Sequence, residues 1–163
     1  MAREKDVKTN VMRILDKEKI AYTPHFYEHS EQEAFDGNEV AAKLGEDPER
    51  VFKTLVTVGK SKNYYVFVIP VCRELDLKSA ASAVGEKSVE MLHVKDINKV
   101  TGYIRGGCSP VGMKKQFVTV FDSSALGFDT IMVSGGKIGT QVELNPSCLI
   151  SLVRAKTDNI TVL

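Results

Sequence analysis

VFKTLVTVGKSKNYYVFVIPV, residues 51–71, holds two runs rich in β-branched and aromatic residues, separated by the polar segment GKSKN at 59–63. Such runs suit a pleated, half-buried surface, and a five-residue polar loop with a glycine suits a hairpin, so the stretch predicts two neighbouring antiparallel strands. Alternation along the first strand puts Phe52, Thr54, Val56 and Val58 on one face and Lys53, Leu55 and Thr57 on the other. The lysine therefore shares a face with an apolar neighbour. Burying its ammonium there would be costly without a partner, and the competing reading is a solvated face from which Lys53 snorkels.

Working outward, Val7, Val11, Met12, Ile14 and Leu15 recur at helical spacing through about Lys19, and residues 21–29 lose that period and read as extended. Asn38 is a candidate N-cap for a short helix carrying Val40, Ala41 and Leu44 and closed by Gly45, and Asp47-Pro48 opens another turn. Beyond the hairpin, residues 76–84 (DLKSAASAV) predict a capped helix ended by Gly85. Further strands are expected at 88–92, 117–121, 130–133 and 141–144, and a last helix at 147–154 after Pro146. Strands outnumber helices and short turns join many of them. The expected class is α+β, with a mixed, curved and partly barrel-like β-sheet and flanking helices, in a single domain over residues 1–163.

Composition narrows the function. With 43% hydrophobic residues in 163, the chain can bury an ordinary core without disulfides or metals. Lys plus Arg number 22 against 21 for Asp plus Glu, which excludes the bulk positive field of a protein that coats DNA, so any RNA contact must be local. The opening MAREKDVKTNVMRILDKEKI has charges where a secretory signal needs an apolar core, and no run approaches a membrane span, so a cytoplasmic location and no membrane partner are expected. Cys72, Cys108 and Cys148 form no C-x-x-C pair and are expected to be reduced, mostly packed thiols rather than a zinc site.

Two glycine-rich segments stand out. GGCSPVG, at 106–112, is followed by Lys114-Lys115, and SGGKIGT, at 134–140, follows the strand TIMV. Both offer backbone N–H groups that suit a phosphate, a carboxylate or a developing oxyanion, although neither matches a P-loop or a dinucleotide fingerprint and each taken singly reads rather as a tight turn. His25 and His29 flank Tyr27 at alternating positions, which predicts three rings on one side of an extended segment. Two histidines are too few for a metal site. The acidic stretch from Glu28 to Glu39 reads as a solvated loop and helix start. Read from its residues alone, the chain is a pocketed domain with no evident nucleophilic triad.

The order HFYEH, a short helix, VFKTLV, a hairpin, LDLKSAASAVG, TGYIRGGCSPVG and VSGGKIGTQVEL resembles the YbaK family of Cys-tRNA(Pro) deacylases, akin to the editing domain of bacterial prolyl-tRNA synthetases. The resemblance runs from about Lys8 to Arg154. It implies a trans-acting enzyme that removes cysteine mischarged onto tRNA(Pro), with no metal and no organic cofactor. The family's essential lysine falls on Lys53 and its pocket tyrosine on Tyr27. Its glycine loops fall on Gly106, Gly107, Ser109, Pro110 and Gly112, and on Ser134, Gly135 and Gly136. In the mechanism so implied, the substrate's own thiol attacks its ester carbonyl, so the enzyme need supply no nucleophile.

Two alternatives stay open at this level: a hydrolytic deacylase of Ala-tRNA(Pro) or another small mischarged amino acid, and a noncatalytic adaptor for tRNA or a synthetase. Arg105, Lys114, Lys115 and Lys137 lie on or beside the glycine loops and are expected to hold the tRNA acceptor end, with a prolyl-tRNA synthetase as a partner that could present the tRNA. Gln141 stands where relatives can carry an acid, and Glu143, two residues on, is a candidate to face the same side.

Overall fold

The computed structural model describes residues 8–29 and 36–162. The chain opens with α1, Asn10–Lys17, whose first turn is closed by the Thr9 hydroxyl accepting from the Met12 N–H at 3.2 Å. Its Val11, Met12 and Leu15 are buried, as their spacing requires, while Val7 lies outside the described residues. Strand β1, Tyr22–Phe26, follows, then α2, Gly37–Leu44. The cap of α2 is Asp36, which accepts from the Glu39 N–H, rather than Asn38, which lies inside the first turn. Gly45 ends the helix in the left-handed conformation, as its position suggested.

The hairpin is present. Strand β2, Phe52–Gly59, pairs antiparallel with β3, Tyr64–Pro70, setting Lys53 opposite Ile69 and Leu55 opposite Phe67. Helix α3, Leu77–Val84, is capped by Asp76 and ended by Gly85. Strand β4, Val89–Met91, joins β2 on its outer side. Helix α4, Val94–Thr101, has no counterpart in the sequence reading: Val94, Ile97 and Val100 recur every third residue, but no side chain caps its start and only Thr101 is buried. Strands β5 (Val118–Asp122), β6 (Ile131–Ser134) and β7 (Thr140–Leu144) and helix α5 (Pro146–Leu152) lie within a residue or two of expectation. A one-turn 3-10 helix, Ser123–Gly127, and a short β8, Lys156–Asp158, were not foreseen. The sequence KTD has no strand signal of its own and is held by parallel pairing with β5.

The α+β class is as expected, but the strands divide between two sheets and neither closes into a barrel. One is mixed, in the order β4-β2-β3-β5-β8; the other is antiparallel, β1-β7-β6. The five-stranded sheet is buried on both faces. Phe52, Val66, Val68 and Phe121 pack against α1, α5 and the inner face of the small sheet, while Leu55, Phe67, Ile69 and Val120 pack against α3. A third cluster, Ala41, Val51, Val71 and Met132, seats α2 over the line where the sheets meet. No helix among the described residues is long and apolar enough to cross a membrane.

A polar cluster ties the same line together. Glu143 of β7 accepts from Arg50 at 2.7 Å, is bonded to His25 of β1 at 2.8 Å and accepts from the Thr130 hydroxyl. Arg50 also reaches Glu46 at 3.0 Å. These bonds, with the Thr130 hydroxyl foremost, hold the Glu143 carboxyl down at about 2 against the opposing effect of partial burial. Because the folded-state value is depressed, this contribution to stability is present above the ordinary carboxylate range and is lost as pH falls through about 2. Glu143→Gln is expected to destabilise the protein by about 1–2 kcal/mol at neutral pH. In denaturant titrations the gap from wild type should close between pH 5 and pH 2; a pH-independent gap would show that the charge does not hold the cluster.

Candidate active site

The two sheets touch through a parallel bridge between Val51 and Met132, where the Met132 N–H donates to the Arg50 carbonyl at 2.9 Å. Two residues further along each chain stand Lys53 and Ser134. From the bridge the strands separate into their different sheets, and the opening between them is a cavity of about 160 Å³. Lys53 and Thr54 line it from β2, and Ser134 and Gln141 from the small sheet. Asp36 and Gly37 close one side from the start of α2; Arg105, Gly106 and Cys108 close the other. Gly37 is there because α2 comes close to β3's end: a Cβ would lie 2.3 Å from a Val71 methyl.

Lys53 is half-buried, and its face is not solvated, since Leu55 and Thr57 beyond it pack into the α3 side of the core. Among the described residues no carboxylate is within ion-pair distance of it. Burial pushes its pKa below that of an ordinary lysine, and the charges of Asp36, Cys72 and Glu74 offset this in part. Two other groups on the lining are polar and unsatisfied by protein: the Thr54 hydroxyl and the Gln141 amide oxygen, the glutamine being only 6% exposed. Buried polar atoms are nearly always paired, so a cavity with two such groups and a half-buried cation fits a polar ligand. Burial raises the Cys108 thiol to about 11, so it stays protonated at neutral pH and supplies no thiolate. The Ser134 hydroxyl accepts from the Gly136 N–H at 3.2 Å and lies beside no histidine base in the cavity lining.

The glycine segments do meet, but mostly they shape the wall rather than face the cavity. Gly107 lies against the other segment so closely that a Cβ would be 2.9 Å from Lys137 Cα and 3.2 Å from Ile138 N. Gly106, with φ of 87°, turns the chain into the lining. Gly135 and Gly136 pack on Thr140 and Val11. Ser109 is buried with its hydroxyl accepting from the Val111 N–H, and Pro110 and Gly112 line a separate cavity with Lys115 and Phe117. Lys114 donates to the Lys99 carbonyl. Of the four cations expected to hold RNA, Arg105 is the one on the lining.

Tyr27 is not on the lining either. It is buried, donates its backbone N–H to the Gly139 carbonyl at 3.0 Å and packs edge-on against the His29 ring, with centroids 6.4 Å apart. His25 is taken up by Glu143. Glu143 shares a face with Gln141 but is occupied by this cluster, so it does not stand in for an acid at position 141. The residues that sequence reading missed as wall are Asp36, Gly37, Thr54 and Cys108, while Gln141, noted for its place in the motif, is on the lining. Thr54 and Cys108 adjoin residues already singled out, whereas Asp36 and Gly37 reach the site only through the packing of α2. Cys72 and Cys148 are exposed free thiols, not packed ones.

Residues 31–152 match the family described as the aminoacyl-tRNA editing domain. A protein of Enterococcus faecalis (strain ATCC 700802 / V583), described as a candidate Cys-tRNA(Pro)/Cys-tRNA(Cys) deacylase and named EbsC, is 48% identical over 162 residues, 99% of this chain and 98% of that one. Among solved structures, a hypothetical protein designated APE2540 superposes with a TM-score of 0.84 at 22% identity, over 94% of this chain and all of that one. A candidate trans-editing enzyme for prolyl-tRNA synthetase superposes at 0.78 and 21% identity, over 96% of this chain and all of that one. These two carry the likeness of fold.

The contact between the glycine segments is testable. Gly107→Ala would force backbone against backbone, and a loss of about 1–3 kcal/mol is expected. Gly127→Ala, with nothing within 4 Å of its Cβ, serves as the control. Thermal unfolding of the two variants side by side checks this; equal melting points would show that the loops are not in contact.

Proposed function

The chain belongs to the aminoacyl-tRNA editing domain family, and from that premise we propose that it is a trans-editing deacylase that clears cysteine mischarged onto tRNA(Pro). The observation that carries the reading is the convergence, on one small cavity, of a half-buried lysine that has no ion pair among the described residues with the unsatisfied polar groups of Thr54 and Gln141. An aminoacyl ester supplies what these groups lack: an ammonium for the glutamine oxygen, and a carbonyl and ribose oxygens for the lysine and hydroxyl.

The cavity lining holds no activated nucleophile, which fits attack by the substrate itself. The cysteinyl sulfur bonds to the ester carbonyl carbon, the carbon–oxygen bond to the ribose breaks, and the thiol proton goes to the departing ribose oxygen. The product is a four-membered thiolactone that water opens to free cysteine. The reacting groups already share one molecule, so the protein's task is to hold the sulfur over the carbonyl and to stabilise charge on the carbonyl and ribose oxygens. Lys53 is the catalytic cation for that charge. Tyr27 is a positioning residue: it fixes Gly139, next to the strand that carries Gln141. Gly106 and Ser134 shape the pocket, and Gly107, Gly135 and Gly136 hold the loops that carry them. Arg105 receives a phosphate of the acceptor end, while Lys114, Lys115 and Lys137 add local positive charge, and a prolyl-tRNA synthetase presents the tRNA.

Lys53→Ala is expected to lower the release of radiolabelled cysteine from Cys-tRNA(Pro) by about 100-fold or more, the scale of removing one oxyanion donor. Because the ammonium is unpaired, thermal unfolding should shift little. Full activity in the variant would overturn the assignment; release of alanine from Ala-tRNA(Pro) in preference to cysteine would support the hydrolytic alternative, and binding without release would leave an adaptor.

A further inference from the structure

Beside the lysine cavity lies a second space of about 330 Å³ that shares Thr54, Arg105, Gly106 and Cys108 with it. The rest of its wall is apolar, with Leu55 and Val56 at the base and Met91, Leu92, Val94 and Ile97 of β4, α4 and the link between them along the outer side. Met91 and Val94 remain 45% and 55% exposed, and Ile104 nearby in sequence to Arg105 is 55% exposed. Among the described residues no acid is on this wall. An open aliphatic groove joined to a polar cavity is a two-part site, and it fits a two-part ligand.

An aminoacyl-tRNA ester is such a molecule. Every tRNA ends in an adenosine whose ribose carries the amino acid, so an acyl group held by Lys53 puts that ribose at the shared mouth and leaves the base to lie outside the first cavity. We propose that the apolar groove between β2 and α4 binds the adenine of the 3′-terminal nucleotide, with the ribose over Thr54 and Gly106 and the preceding phosphate at Arg105. The proposal rests on the deacylase reading and names how the same site holds the far half of its substrate. A purine has two apolar faces and gains from leaving water between aliphatic side chains, whereas the charged backbone needs the cation at the rim. Recognition of this kind reads a feature shared by all tRNAs and leaves selection to the acyl pocket.

The test uses two small substrates with the full chain: the cysteinyl ester of adenosine and cysteine methyl ester, with released cysteine measured above the spontaneous rate. Wild type is expected to favour the adenosine ester by at least about tenfold in kcat/KM, the scale of one base stacked on protein. Met91→Glu, and separately the milder Val94→Ser, should bring that ratio toward one by raising KM for the adenosine ester. Equal use of the two esters by wild type, or a preference that survives both substitutions, overturns the proposal and assigns the patch to another partner. If wild type frees cysteine from neither ester nor from Cys-tRNA(Pro), the deacylase reading itself falls; turnover of Cys-tRNA(Pro) without preference for adenosine overturns the groove alone.

Discussion

The parallel bridge between Val51 and Met132 is the constraint on which the site depends. It fixes β2 of the large sheet beside β6 of the small one, buried under Ala41 and Val71 and reinforced by the hydrogen bond from Met132 to Arg50. Because the two strands belong to sheets of different orientation, they part at once. The cavity is the wedge they leave, and Lys53 and Ser134 stand on its two sides as a consequence of register. The Glu143 cluster, anchored in β1, β7 and the turns before β2 and β6, locks the closed end of the same wedge.

What occupies the wedge follows from electrostatics. A half-buried ammonium with no ion pair among the described residues lacks full solvation, and an unsatisfied amide oxygen and hydroxyl beside it add to that cost. Such an arrangement persists when surrounding structure enforces it, here the close approach of α2 through Gly37 and of the two loops through Gly107. A ligand that pairs with these groups recovers interactions that the empty cavity leaves unmade. The protonated Cys108 thiol, raised by burial, adds packing and not reactivity.

Much of this was legible in the sequence, and the exceptions have physical causes. The hairpin, α3 with its Asp76 cap and Gly85 stop, and the position of Lys53 follow from local patterns. The division into two sheets does not, since nothing local distinguishes a curved sheet from two joined by a bridge at Val51. Helix α4 has an apolar period in Val94, Ile97 and Val100 but no capping side chain to mark its start, whereas β8 is short and polar and is placed by pairing with β5. The glycine segments meet beside the cavity, yet at most positions they serve packing: Gly107, Gly135 and Gly136 permit close approach, and Gly106 is the one that faces the cavity. Tyr27 illustrates the same limit. Resemblance put it in the pocket, whereas its side chain packs on His29 and its backbone N–H holds the turn at Gly139.

In the mechanism we propose, the pocket supplies position and charge while the substrate supplies the nucleophile. Comparing the release of cysteine with that of 2-aminobutyrate from the same tRNA(Pro) tests it most directly, because the two acyl groups are close in size and differ in the sulfur. Rapid loss of cysteine with 2-aminobutyrate remaining attached is expected; equal rates of release would rule out thiol attack and place an attacking water in the cavity.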